Sequence, residues 1–175
     1  MKLRRDTQPT SLSPTFMVPV RRTFWLLAVR SGSPAGGPLS SSGSNGGGEP
    51  IARRVLVVED DWLIAAQIES YLVTAGFDVT GAAVGPQEAR QLVRDAPPQL
   101  ALMDIRLFGD ADGVELAKEL WRDFGLRCLF VSGNIDADTV LRAADAYPLG
   151  WLSKPFTEAE LIGAVSDAFD RLGSA

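Results

Sequence analysis

Glu59-Asp60, Asp104, Ser132 and Lys154 stand at or just beyond the ends of four short apolar runs: Val55-Leu56-Val57-Val58, Leu100-Ala101-Leu102-Met103, Cys128-Leu129-Phe130-Val131 and Leu149-Gly150-Trp151-Leu152. The set comprises three carboxylates, one hydroxyl and one ammonium. Carboxylates brought together repel one another unless a cation joins them. Hard oxygen ligands with room for water suit Mg²⁺. A carboxylate beside such an ion and an ammonium can attack a phosphoryl group, because the two cations stabilise charge on the transferring oxygens. A serine hydroxyl adds a further donor. The chemistry these residue types allow is therefore formation of an aspartyl phosphate.

That chemistry requires the apolar runs to be neighbouring strands. The first run, continuous in Val and Leu, has the character of a strand buried on both faces. A helix is expected from about Trp62 to Ala75, with Ile64, Ile68, Leu72 and Ala75 on its inner face and Gly76 closing it. Residues 77–83 read as a second strand. Pro86 can open the next helix, and Pro97-Pro98 end it. The third strand runs to Asp104. A loop through Asp112 leads to a helix that offers Val114, Ala117, Leu120, Trp121 and Phe124 for packing. The fourth strand covers residues 128–131, a short helix residues 136–146, and a short fifth strand residues 149–152. Thr157-Glu158-Ala159-Glu160 is a capping-box opening for a last helix that presents Leu161, Val165, Ala168 and Leu172 inward. Five strands alternating with five helices over residues 53–172 describe a doubly wound α/β sheet. Right-handed crossovers put helices on both faces of such a sheet, and ligands sit beyond the carboxyl ends of its strands. The chemistry-bearing residues all fall at those ends.

Charge divides the chain. Residues 1–50 hold six Lys/Arg against Asp6 and Glu49, whereas residues 51–175 hold eleven basic and twenty acidic side chains. An acidic folded part argues against a nucleic-acid surface, which needs basic partners for the phosphates. Residues 31–50 contain seven Gly, six Ser and three Pro, too little apolar surface to offset the entropy of ordering. Residues 1–52 are accordingly expected to be a disordered extension and linker, and residues 173–175 a tail. Thr23-Phe24-Trp25-Leu26-Leu27-Ala28-Val29, flanked by Arg21, Arg22 and Arg30, has the order of a signal peptide, but its apolar stretch is short. No apolar run reaches membrane-spanning length. The single cysteine, Cys128, excludes an intrachain disulfide and fits a small core residue in a reducing, cytoplasmic setting. The chain has no histidine, so any phosphohistidine must come from a partner.

Val55 to Asp61, Leu102-Met103-Asp104-Ile105-Arg106-Leu107, Val131-Ser132-Gly133 and Leu152-Ser153-Lys154-Pro155-Phe156 resemble the four signature blocks of response-regulator receiver domains. The resemblance covers about residues 53–172 and implies a flavodoxin-like fold with strand order 2-1-3-4-5. It implies that Glu59 and Asp60 hold Mg²⁺, Asp60 directly and Glu59 through water, with the backbone carbonyl of Arg106 as a further ligand. Asp104 then matches the phosphoacceptor and metal ligand, Ser132 the hydroxyl that bonds the phosphoryl group, and Lys154 the lysine that pairs with it. Lys154-Pro155 matches a cis peptide, and Trp151 the aromatic that moves with Ser132 in switching. Arg106 and Asn134 occupy places that influence how long the phosphoryl group survives. The implied partners are a histidine kinase or histidine phosphotransfer protein and an unidentified downstream protein. No direct DNA or membrane contact is expected. The chain would catalyse its own phosphorylation and dephosphorylation without being an enzyme for other substrates. With only three residues after Leu172, it reads as a stand-alone receiver.

Each residue has a plainer reading. Asp60 and Asp61 suit the first turn of a helix, where carboxylates complement the dipole. Ser132 suits a turn, Lys154 a solvated charge, and Trp151 simple packing. Asp110 and Asp112 read as loop and helix-capping residues. The sequence also departs from the family in places. Leu107-Phe108-Gly109 stands where many receivers carry a proline, the loop after Asp104 is slightly long, and the stretch from Asp104 to Ser132 is slightly short. A metal-dependent phosphohydrolase would show a second aspartate two residues after the nucleophile, where Arg106 stands. A flavin module would meet repulsion between its phosphate and Glu59-Asp60-Asp61. The alternative from another class is a non-phosphorylated pseudo-receiver used as an interaction module.

Overall fold

A computed structural model of the chain describes residues 52–109 and 111–174. The linker, the apolar patch at residues 23–29 and Asp110 lie outside the described residues. The elements follow in the order β1 (Arg54–Val58), α1 (Trp62–Thr74), β2 (Asp78–Ala83), α2 (Pro86–Asp95), β3 (Leu100–Met103), α3 (Gly113–Phe124), β4 (Cys128–Ser132), α4 (Ala137–Arg142), a 3₁₀ turn (Ala144–Ala146), β5 (Gly150–Ser153) and α5 (Glu158–Gly173). The five strands form one parallel sheet in the order β2-β1-β3-β4-β5. Chain order reverses between β1 and β3, and that crevice is where a doubly wound sheet places its ligands.

The apolar runs are continuous because both faces of the central strands are covered. Side chains alternate across a strand. Leu56, Val58, Ala101, Met103, Cys128 and Phe130 therefore join a core with Ala89 and Val93 of α2 and Val114, Ala117 and Leu120 of α3. Val55, Val57, Leu100, Leu102, Leu129 and Val131 join a second core with Ile68 and Leu72 of α1 and Leu161, Val165 and Ala168 of α5. Each fully buried large aliphatic side chain contributes about 1.5–3 kcal/mol against exposure. The edge strands β2 and β5 are less buried along their length than β1, β3 and β4.

Helix ends follow local chemistry. Asp61 caps α1, its carboxylate accepting from the Leu63 and Ile64 amides at 2.9 and 3.3 Å. Asp112 caps α3 through the Val114 amide at 2.8 Å, and Gly125, at φ 65°, ends that helix. Thr157 and Glu160 form the expected capping box.

Three expectations need correction. Ala75 is exposed, because α1 ends at Thr74 and Ala75 lies beyond its last turn. Phe124 also faces outward, 40% exposed, with the Arg94 guanidinium 5.9 Å over its ring in place of core contacts. The helix expected over residues 136–146 stops at Arg142 and tightens into the 3₁₀ turn, where Ala146 and Tyr147 donate to carbonyls three residues back. Such tightening is common at helix ends, and Pro148 cannot donate to a further turn.

Candidate active site at the carboxyl edge of the sheet

The sheet brings Glu59, Asp60, Asp104 and Lys154 together. One carboxylate oxygen from each of Glu59, Asp60 and Asp104 lies within 4.8 Å of the others. Glu59 and Asp60 follow β1, Asp104 follows β3, and the two strands are hydrogen-bonded neighbours in register, Val58 opposite Met103. The pairing runs one step past the strand, since the Asp104 amide donates to the Val58 carbonyl at 2.9 Å. Glu59 is anchored on its other side, its amide donating to Ala83 of β2 at 2.9 Å.

Lys154 reaches this cluster from beyond β5. Its Nζ donates to Glu59 Oε2 at 2.5 Å and to Asp104 Oδ2 at 2.7 Å. Glu59 and Asp104 are buried, 2% and 8% exposed, and Asp60 is half-buried. Burial pushes the Glu59 carboxyl up from its ordinary value, against the downward pull of Lys154. Burial pulls the Lys154 ammonium down, but its hydrogen bonds to Asp104 and Glu59 outweigh that, so its pKa is raised and it stays charged. One ammonium thus faces three carboxylates. That donor set, all hard oxygen and short of two positive charges, fits a divalent cation of the Mg²⁺ kind held by Glu59, Asp60 and Asp104.

Ser132 is the last residue of β4, and its buried Oγ accepts from the Asn134 amide at 3.5 Å. Its carbonyl takes the Lys154 amide at 2.9 Å, so the backbones carrying the hydroxyl and the ammonium are directly bonded. The Lys154-Pro155 peptide is cis. Arg106 is at the rim through its backbone, its amide donating to Asp104 Oδ1 at 3.2 Å, while its side chain is exposed. Trp151 is the candidate residue the fold does not bring to the rim. It stacks on Phe130, ring centroids 4.6 Å apart and planes at 21°, and packs against the core beneath α2 and α3.

The sequence reading did not single out Gly113. A Cβ built there would overlap the Asp104 carbonyl oxygen and stand 2.9 Å from its carbonyl carbon and 3.1 Å from Ile105 Cα. The one signal for it in the sequence is a glycine directly after the helix-capping Asp112.

The chain matches the family model for the response regulator receiver domain over residues 55–166. It is 32% identical over 121 residues to the transcriptional regulatory protein PdtaR of Mycobacterium tuberculosis, covering 69% of this chain and 58% of that one. It is 29% identical over 117 residues to the DNA-binding response regulator MtrA of Mycobacterium bovis, covering 67% of this chain and 50% of the relative. The chain therefore spans little more than half the length of these relatives. Among solved structures it is similar to the signal receiver domain of a modulated diguanylate cyclase from Desulfovibrio desulfuricans, with TM-score 0.64 and 34% identity over 70% of this chain and 98% of that one. Blocks, topology and rim geometry lead to the same family: the chain belongs to the response regulator receiver domains of two-component signalling.

Proposed function

We propose that this receiver is a phosphoacceptor, taking a phosphoryl group from a partner's phosphohistidine onto Asp104. The observation that carries the reading is the Lys154 ammonium held between Asp104 and Glu59, with Asp60 completing an acidic group that suits Mg²⁺. The free Asp104 carboxylate attacks phosphorus in line. The new O–P bond forms as the P–N bond to the donor imidazole breaks, and the bonding pair stays with the imidazole. Glu59, Asp60 and Asp104 would hold a Mg²⁺, which when bound would supply charge neutralisation for the transferring oxygens. Lys154 pairs with the phosphoryl group, and the Ser132 hydroxyl, close by at the end of β4, donates to it. Arg106 holds one Asp104 oxygen through its amide, which leaves the other to the ammonium.

The donor is a histidine kinase or phosphotransfer protein, since this chain carries no histidine. The same groups return Asp104 to its free form by hydrolysis, and the chain turns over no external substrate. The adduct is a dianion in place of a carboxylate, and it changes the surface that a downstream protein reads. Trp151 moves from its Phe130 stack as Ser132 closes on the adduct. PdtaR is a transcriptional regulatory protein and MtrA a DNA-binding response regulator, but this chain matches only 58% and 50% of their lengths. The acidic balance of residues 51–175 favours protein contacts over direct DNA binding. No helix among the described residues is long and apolar enough to cross a membrane, and a cytoplasmic location suits the proposed kinase partner.

Incubation with acetyl phosphate and Mg²⁺, read by intact mass, tests the proposal. Wild type should gain one labile phosphoryl adduct that Asp104→Asn does not. No adduct on wild type would favour the pseudo-receiver reading.

A further inference from the structure

We propose that the Asp112-Gly113 step at the start of α3 is the positioning element for Asp104, and that Arg142 of α4 holds it in place. This rests on Asp104 being the phosphoacceptor. The segment after Asp104 folds back on itself: Arg106 and Asp112 form an antiparallel bridge, the Leu107 amide donates to Ala111 at 3.3 Å, and the Gly113 amide donates to Ile105 at 2.8 Å. The fold-back brings Gly113 so close to Asp104 that no β-carbon fits between them. The obstacle is backbone on both sides, so no side-chain rotation relieves it. The Asp104 carbonyl, and with it the carboxylate's approach to Glu59, Asp60 and Lys154, is set by how closely the start of α3 lies against it.

The same step is tied to a third element. Asp112 spends one carboxylate oxygen on the α3 cap and the other on the Arg142 guanidinium. Glu115, in the first turn of α3, lies 4.0 Å from Arg142 as well. A continuous path of contacts thus runs from α4 through Arg142, Asp112 and Gly113 to the backbone of the phosphoacceptor. Asp112 and Gly113 stand outside the group of Glu59, Asp60, Asp104 and Lys154, so they act through Asp104.

Gly113→Ala tests the close approach, with Gly163→Ala, in α5 with nothing near its Cβ, as control. The readouts are the rate of adduct formation from acetyl phosphate at saturating Mg²⁺, and the ¹H–¹⁵N resonance of the Arg106 amide without donor or metal. Both are taken at a temperature where circular dichroism shows the variant folded. The expected result is a rate at least tenfold lower and a displaced Arg106 resonance in Gly113→Ala, with the wild-type rate in Gly163→Ala. A purely structural role would lower the melting temperature and leave both readouts unmoved, which overturns the proposal. Should Gly113→Ala not fold, Arg142→Met decides, because its site is exposed and outside the core. A two- to fivefold slower rate with a displaced Arg106 resonance supports the proposal, and wild-type values for both overturn it. If wild type itself forms no adduct, the phosphoacceptor reading has failed instead.

Discussion

The ammonium of Lys154 stands 2.5 Å from the carboxylate of Glu59, a residue 95 positions earlier in the chain. Neither side chain is at home alone in such a site: Glu59 is 2% exposed and the Lys154 side chain 15%. Glu59 does not accept the phosphoryl group in the proposed reaction, yet it shares the lysine with Asp104. The ammonium thereby serves as a counter-charge before any phosphoryl group arrives.

Lys154→Met should therefore cost stability as well as reactivity. Removing one partner of a buried pair leaves uncompensated charge, and about 3 kcal/mol is expected, the lower end for such a break. Mg²⁺ should restore most of that loss, because a ligand that binds only the folded state stabilises it. Urea unfolding with and without millimolar Mg²⁺ measures both effects. Wild-type stability of the variant in metal-free buffer would show that the lysine is not the counter-charge.

Cys128 should be inert while the chain is folded. Burial pushes its thiol up to about 12, which leaves only about one thiolate in ten thousand at pH 8. Titration with a disulfide reagent should find no fast-reacting thiol in buffer and one equivalent in denaturant. Rapid labelling of the folded protein would contradict the buried placement.

The capping box of α5 should make stability depend on acid. The backbone and hydroxyl hydrogen bonds from Thr157 hold the Glu160 carboxyl below its ordinary value. A depressed folded pKa gives stability that is fully present above the unfolded value and is lost as pH falls through the folded one. Glu160→Gln should weaken the dependence of the urea midpoint on pH between about 5 and 3, the ordinary carboxylate range. An unchanged slope would remove Glu160 from the account.

Phe130→Ala should cost about 3–5 kcal/mol, as expected for deleting a fully buried aromatic ring, since Phe130 has no exposed surface. It should also abolish the near-ultraviolet ellipticity of the Trp151 stack. In a chain whose other three tryptophans are phenylalanine, the phosphoryl mimic beryllofluoride should weaken that same signal. Persistence of the full signal with the mimic bound would argue against Trp151 as a switch residue.

The sequence by itself determined the sheet and the membership of its rim. Unbroken apolar runs identify strands covered on both faces, and the residues ending those runs must share one edge when the strands are parallel. Glu59, Asp60, Asp104, Ser132 and Lys154 were legible for that reason, as were the caps at Asp112 and Thr157, where the signal is local. Burial of single helix positions was less legible: Ala75 and Phe124 fit the helical period but lie where the helices leave the core. What only the tertiary structure decided were the pairings across elements. Lys154 bonds Glu59 as well as Asp104, Trp151 lies on Phe130 away from the rim, Arg142 reaches Asp112, and Gly113 touches the Asp104 carbonyl. The physical reason is one of scale. Periodicity reports which face of an element is buried, whereas a contact of about 3 Å depends on how two elements, each placed by many other contacts, come to rest against one another.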